Sequence, residues 1–102
     1  MKYKVILWED AANDFRQLDG SVKKQVSKQL KKLEKSPHLG TPLGNMRGFD
    51  LTGYYKIYTV KKSIRIVYRI IKKEVIVEII GIGKRADFEV YAAIAQRLLK
   101  KK

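Results

Sequence analysis

Lys56 and Tyr58 sit two apart in one β-prone segment, and Arg65 and Arg69 sit four apart in the next. Alternate residues of a strand share a face, as do residues directly opposite in an antiparallel pair. With Lys61-Lys62 as a two-residue turn, Tyr58 faces Arg65, Lys56 faces Val67 and Tyr54 faces Arg69. The cations and Tyr58 then gather on one face, and Lys84-Arg85 follow just past the third strand. Such a face suits a phosphodiester chain, because ammonium and guanidinium groups bind phosphate and a tyrosine ring stacks on a base. It also suggests a reaction. Cleaving RNA with its own 2′-hydroxyl requires removal of that proton, stabilisation of charge on the phosphorus oxygens and protonation of the departing 5′-oxygen. Fixed cations supply the second requirement. A lysine crowded by other cations has its charged form disfavoured and can serve the first as a base, whereas arginine stays charged and contributes mainly charge stabilisation. The competing reading is a solvated sheet face on which Glu78 pairs with Arg65 or Arg69 at little energetic gain.

Composition narrows the alternatives. The 102 residues carry 23 Lys plus Arg against 10 Asp plus Glu, a formal net charge of +13. A charge this high on a small body attracts polyanions, with nucleic acid the first to consider. The absence of Cys excludes a disulfide framework and thiolate chemistry, and fits a reducing compartment. One histidine, His38, excludes a multi-histidine metal site. His38 follows Pro37 in a Gly/Pro-rich loop and is not expected to be catalytic. Gly81-Ile82-Gly83-Lys84 is no P-loop, because Glu78 stands where glycine is required and Arg85 where Ser or Thr should bind magnesium. Asp10, Asp14, Asp19, Asp50 and Asp87 show no paired-carboxylate spacing and are expected to form caps and turns. No segment has the length and apolarity of a membrane anchor, which points to a cytoplasmic protein with no membrane partner.

Seven elements must position these side chains. Lys2 to Trp8 reads as a strand, and Ala11, Phe15 and Leu18 then recur at helical spacing from Glu9 to Leu18. Asp19-Gly20-Ser21 breaks this helix. A longer one follows, with Val22, Val26, Leu30 and Leu33 on a stripe, lysines elsewhere and Ser36-Pro37 at its end. Residues 37 to 53 form a connecting loop with a short extended piece around Leu43 to Arg47. Tyr54–Val60, Ile64–Ile71 and Val75–Ile82 are strands joined by the short turns Lys61-Lys62 and Lys72-Lys73, and are therefore antiparallel neighbours. The parity places Tyr55, Ile57, Ile66, Tyr68, Val75, Val77 and Ile79 on a core face, with Ile76, Glu78 and Ile80 opposite. Asp87 caps a last helix with Val90, Tyr91, Ile94, Leu98 and Leu99 at its apolar positions, before the tail Lys100 to Lys102. The order βααβββα describes one α+β domain spanning residues 1–102, an antiparallel sheet with a helical hairpin on one face.

Tyr55-Lys56-Ile57, Ile64-Arg65-Ile66-Val67-Tyr68, Gly83-Lys84-Arg85 and Glu89-Val90-Tyr91, with the segment running through Met46-Arg47 to Gly48, resemble the RelE branch of the RelE/ParE toxin superfamily. The resemblance spans essentially the whole chain. It implies a RelE-like fold and a metal-independent, cofactor-free endoribonuclease toxin that enters the ribosomal A site, cuts messenger RNA there and is neutralised by a cognate antitoxin. By the same resemblance, Lys56, Arg65, Arg85 and Tyr91 match catalytic positions: a lysine at the site, an arginine on the scissile phosphate, an arginine for the transition state or as acid, and a tyrosine that orients the nucleotide. Arg47, Tyr58, Lys61, Lys62, Arg69 and Lys84 are the expected RNA contacts. The pattern departs at Tyr58, where the best-studied type has a second lysine; if that lysine is the base, Lys56 or a lysine of the Lys61-Lys62 turn must replace it, or cleavage is slow. The alternatives on this fold are a ParE-like DNA gyrase inhibitor and a non-catalytic protein that binds RNA or an antitoxin. The surplus charge predicts that affinity for ribosomes or RNA falls steeply, by about 1,000-fold between roughly 50 and 200 mM salt if six phosphates are engaged. Filter binding across that range measures it, and a flat salt response would refute it.

Overall fold

The computed structural model describes residues 2–46, 48–86 and 90–100. Its elements are β1 (Lys4–Leu7), α1 (Glu9–Arg16), α2 (Gly20–Lys35), β2 (Thr41–Pro42), β3 (Asn45–Met46), β4 (Phe49–Asp50), β5 (Tyr54–Thr59), β6 (Ile64–Ile71), β7 (Ile76–Lys84) and α3 (Val90–Lys100). Short 3₁₀ turns at Pro37–Leu39 and Lys72–Glu74 follow α2 and β6. The expected βααβββα order is observed, with three two-residue strands added in the loop before β5. Five strands form one sheet in the order β1-β7-β6-β5-β2, and β3 pairs with β4 in a separate ribbon. Four features differ from the sequence reading.

The sheet is not wholly antiparallel, because β1 runs parallel to β7 at one edge. Only the crossover through α1, α2 and the later strands can bring the two together in that sense. Gly20 opens α2 rather than breaking the chain: Asp19 before it is extended, and its carbonyl already accepts from the Lys23 amide. The β6–β7 connection uses four residues instead of two: Lys72–Glu74 make a 3₁₀ turn and Val75 adopts a left-handed conformation at φ 57°. Val75 therefore belongs to the turn and not to the core face. This longer turn shifts the register by two residues, which leaves every face assignment unchanged as far as Ile79.

The fourth difference is a bulge. Tyr68 pairs with Ile79 but Val67 pairs with Gly81, so Ile80 is an extra residue on β7. Beyond it the parity reverses: Ile82 joins Ile66 on the core face, while Gly81 and Gly83 join Val67 and Arg65 on the opposite one. That second face is covered by α3. A Cβ built on Gly81 would lie 2.5 Å from Ile94 Cδ1 and 2.7 Å from Arg97 Nη1, so glycine is what lets helix and strand approach.

The core face is closed by α2, whose Val26 and Leu33 are fully buried. Tyr68 ties it to the following turn: its buried hydroxyl donates to the Pro37 carbonyl at 2.8 Å and accepts from the Gly40 amide at 2.9 Å. These bonds matter because an unpaired buried hydroxyl costs on the order of 1–3 kcal/mol. At the other edge, β7 runs past the end of β1. Asp14 of α1 accepts from the strand-edge amide of Ile82 at 3.0 Å and binds Arg97 of α3 at 2.8 Å, while Arg97 donates to the Ile80 carbonyl. One side-chain pair thus occupies the free strand edge and fastens α1, β7 and α3 together. Among the described residues no helix is long and apolar enough to cross a membrane. Replacing Asp14 with Ala leaves Arg97 and the Ile82 amide without this acceptor, and should lower stability by about 2 kcal/mol. Chemical denaturation of the two proteins measures the difference, and a loss under about 0.5 kcal/mol would contradict this role.

Candidate active site

The β5–β6 register places Tyr58 opposite Arg65 and Lys56 opposite Val67, as the strand parity required. Their connection is a tight turn in which the Val60 carbonyl accepts from the Ser63 amide at 3.0 Å. Val60, Lys61 and Lys62 all have positive φ, at 54°, 53° and 66°, with no glycine among them. Each such residue costs on the order of 1 kcal/mol, most acutely the β-branched valine. The turn is held from outside: Ser63 Oγ donates to the Val60 carbonyl at 2.6 Å, and the Ser63 carbonyl accepts from the Arg85 amide at 2.9 Å. Strain in this turn therefore fixes where Lys61, Lys62 and Arg85 emerge.

Around it lies an open cleft of about 940 Å³ whose lining includes Lys56, Tyr58, Lys61, Lys62, Arg65, Lys84, Arg85 and Tyr91. Among the described residues no carboxylate lines it. Arg65 is only 3% exposed, so it does not stand on an open sheet surface as the strand pattern suggested. Its guanidinium carbon lies 4.7 Å from the Tyr91 ring centre and 5.9 Å from that of Tyr58, and Nη2 donates to the Arg85 carbonyl at 2.8 Å. Burial of this cation is offset by two aromatic faces and a backbone acceptor. The arrangement holds the guanidinium at the cleft wall without letting it swing into solvent.

Arg69 is not brought to this cleft. It pairs with Glu78 at 2.6 Å and lies 5.8 Å from the Trp8 ring centre. For Arg69 the ion-pair reading of the sheet face holds: burial, the largest single effect, lowers its pKa, but Glu78 and Tyr54 together outweigh it and hold the guanidinium above its ordinary value. His38 is exposed and packs edge-on against Tyr55 on the other side of the fold. Arg47, Asp87 and Glu89 lie outside the described residues. Among the described residues no cluster of His, Cys, Asp or Glu is arranged to hold a metal ion.

A family model, the ParE toxin of type II toxin-antitoxin system, parDE, matches residues 5–87. The chain belongs to the RelE/ParE toxin family. It is 32% identical over 99 residues to the mRNA interferase toxin RelE of Escherichia coli K12, a match covering 97% of this chain and all of that one. Among solved structures, a free-state E. coli RelE variant with two arginines replaced by alanine has 30% identity and a TM-score of 0.77, covering 96% of this toxin and 99% of that chain. The same type of variant bound to an antitoxin RelB peptide gives 32% identity and a TM-score of 0.69, covering 91% and 94%.

The toxin's cleft is organised around a residue that sequence reasoning treated only as a stacking surface. Lys56 Nζ, Arg85 Cζ and Arg65 Cζ lie 5.3, 5.1 and 5.9 Å from the centre of the Tyr58 ring. Parity gave its neighbours on β5 and β6, but no local signal shows that the residues after β7 fold back to the same ring. Nor does any pattern link Asp14 with Arg97, 83 positions apart, although that pair seats the helix carrying Tyr91. Burial pushes the Tyr58 hydroxyl upward in pKa, yet hydrogen bonding and positive charge from Lys56 and Arg65 more than offset this and leave it below the ordinary tyrosine value. Tyrosinate absorbance during an alkaline titration should accordingly show one tyrosine ionising early in the wild type. That early step should be missing in Tyr58→Phe, and identical curves would contradict the charge placement.

Proposed function

We propose that this chain is an mRNA interferase toxin that cuts messenger RNA in the ribosomal A site, in the cytoplasm, without a metal ion, and that a cognate antitoxin neutralises it. The observation that carries this reading is the convergence of Lys56, Arg65, Arg85 and Tyr91 on one cationic cleft with no carboxylate among the described lining residues, from β5, β6, the end of β7 and α3. Its similarity to a protein named mRNA interferase toxin RelE supports the activity, and structures of RelE with antitoxin RelB support the partner.

In this reading Arg65, anchored between two rings, holds the scissile phosphate. Arg85 is exposed and reaches the phosphate from the mouth of the cleft, where it stabilises charge as the phosphorus becomes five-coordinate. Lys56 adds a further positive charge, and Tyr91 sets the position of the nucleotide. Lys61, Lys62 and Lys84 ring the opening and track neighbouring phosphates, while the lysines of α2 engage ribosomal RNA. Alignment of the 2′-oxygen with the P–O5′ bond converts the attack into an intramolecular step, leaving a 2′,3′-cyclic phosphate and a 5′-hydroxyl.

A gyrase inhibitor on this fold would have no need of such a cationic cleft. Mapping 5′ ends on a translated message separates the readings. Wild type should produce A-site cuts, and Arg85→Ala should reduce their rate by about 100-fold or more. DNA breaks with an intact message would favour gyrase, and intact message and DNA alike would reduce the chain to a binding protein.

A further inference from the structure

We propose that the Tyr58 hydroxyl, rather than a lysine amine, takes the proton from the attacking 2′-hydroxyl; this inference deepens the endoribonuclease reading and rests on it. Tyr58 is where the cations of the cleft meet. Lys56 approaches from the same strand two residues away, Arg65 from the opposite position on β6, and Arg85 from beyond β7. Negative charge on the Tyr58 oxygen is favoured by Lys56 and Arg65, with Arg85 beside the ring; the described cleft lining contains no carboxylate, histidine or cysteine, and of its two phenols Tyr58 is the one that all three cations approach.

The lysines are poorly placed for the task. Lys56 Nζ lies 5.3 Å from the Tyr58 ring centre, placed to counter negative charge on that residue. Lys61, Lys62 and Lys84 are exposed at the rim of the cleft, whereas Lys56, Arg65 and Arg85 are the cations set around the Tyr58 ring. An incoming phosphate adds negative charge and tightens the hold of every amine on its proton. A lysine acting as base would also surrender, as it deprotonates, the attraction to phosphate that binding uses. Tyr58 feels the same incoming charge, but Lys56, Arg65 and Arg85 stand around its ring to counter it. Its ionisation adds a negative charge among excess cations, and Arg65, fixed by Tyr91 and the Arg85 carbonyl, remains to counter it.

The step balances without a co-reactant beyond water. The 2′-O–H proton passes to the Tyr58 phenolate oxygen as the 2′-oxygen bonds to phosphorus. The P–O5′ bond then breaks, and the departing O5′ takes a proton from water, giving the cyclic phosphate and a 5′-hydroxyl. Tyr58 returns its proton to solvent. A positioned base of this kind contributes on the order of 100- to 10,000-fold to the rate.

The test uses the full-length toxin under single turnover on ribosomes carrying a defined message, across neutral to alkaline pH. Three proteins are compared: wild type, Tyr58→Phe, which keeps the ring and removes the hydroxyl, and a chain with a fluorinated tyrosine at position 58 only. Binding to ribosomes whose message has a 2′-O-methyl group at the cut site provides the second readout. The proposal expects wild type to cleave with a rate that rises with pH, Tyr58→Phe to lose about 100-fold or more while binding changes by less than about threefold, and fluorination to move the rising limb to lower pH. Cleavage by Tyr58→Phe within about threefold of wild type overturns it. A slow Tyr58→Phe with a limb that fluorination does not move also overturns it, leaving the hydroxyl as a positioning group. Failure of the wild type itself to cleave any message overturns the endoribonuclease reading, and this inference with it.

Discussion

The extra residue Ile80 in β7 sets which side chains look at which side of the sheet beyond that point. Because strand side chains alternate strictly, one inserted residue reverses every later position. Gly81 and Gly83 are thereby turned toward α3, and Ile82 toward the core. Without the bulge, Ile82 would face the helix and hold it away, and two glycines would leave holes beside Ile66. The close approach of Ile94 to Gly81 and of Val90 to Gly83 seats α3 low on the sheet. Only at that depth does Tyr91 meet Arg65. A backbone irregularity more than ten residues from Tyr91 in sequence is thus what completes the wall of the cleft.

The cleft concentrates like charge, which the fold has to withstand before any ligand arrives. Arg65 is removed from water between two rings, and the turn from Val60 to Ser63 keeps three successive residues in a sparsely populated conformation. Both costs are borne by ordinary packing elsewhere: the buried stretch Ile66 to Tyr68, the Tyr68 hydroxyl bridge and the Asp14–Arg97 pair at the sheet edge. The strain and the crowding lie in one place, as expected where a protein holds groups ready for a transition state. A polyanion relieves the crowding by bringing negative charge among these cations, which is the physics the proposed RNA cleavage relies on.

Residues whose neighbours lie nearby in the chain were legible from pattern. The stripe of Val26, Leu30 and Leu33 defined α2, and the alternation through Tyr54–Thr59 and Ile64–Ile71 gave the β5–β6 pairing residue by residue. That pairing survived although Lys61-Lys62 is an unusual turn, since burial of Tyr55, Ile57, Ile66 and Tyr68 on one face selects the register whatever the turn chemistry. The β6–β7 pairing was less readable. A four-residue turn and a bulge displace the register in ways that hydrophobic alternation does not report, because Ile76, Ile79, Ile80 and Ile82 form a nearly continuous apolar run. The parallel placement of β1 was also invisible, for nothing local distinguishes a strand that will pair with β7 from one that will pair elsewhere.

The sequence by itself determined a basic α+β chain without thiol chemistry, and the strand pair that sets Lys56 and Tyr58 beside Arg65. Those properties depend on composition and on period-two alternation, both of which are local. Tertiary structure alone decided that Arg85 reaches the Tyr58 ring and Tyr91 the Arg65 guanidinium, that Arg65 is buried, and that Arg69 turns away to Glu78. The reason is that the positions of α3 and the end of β7 are set by a bulge, two glycines and a long-range ion pair. Their energies exist only after distant segments have packed.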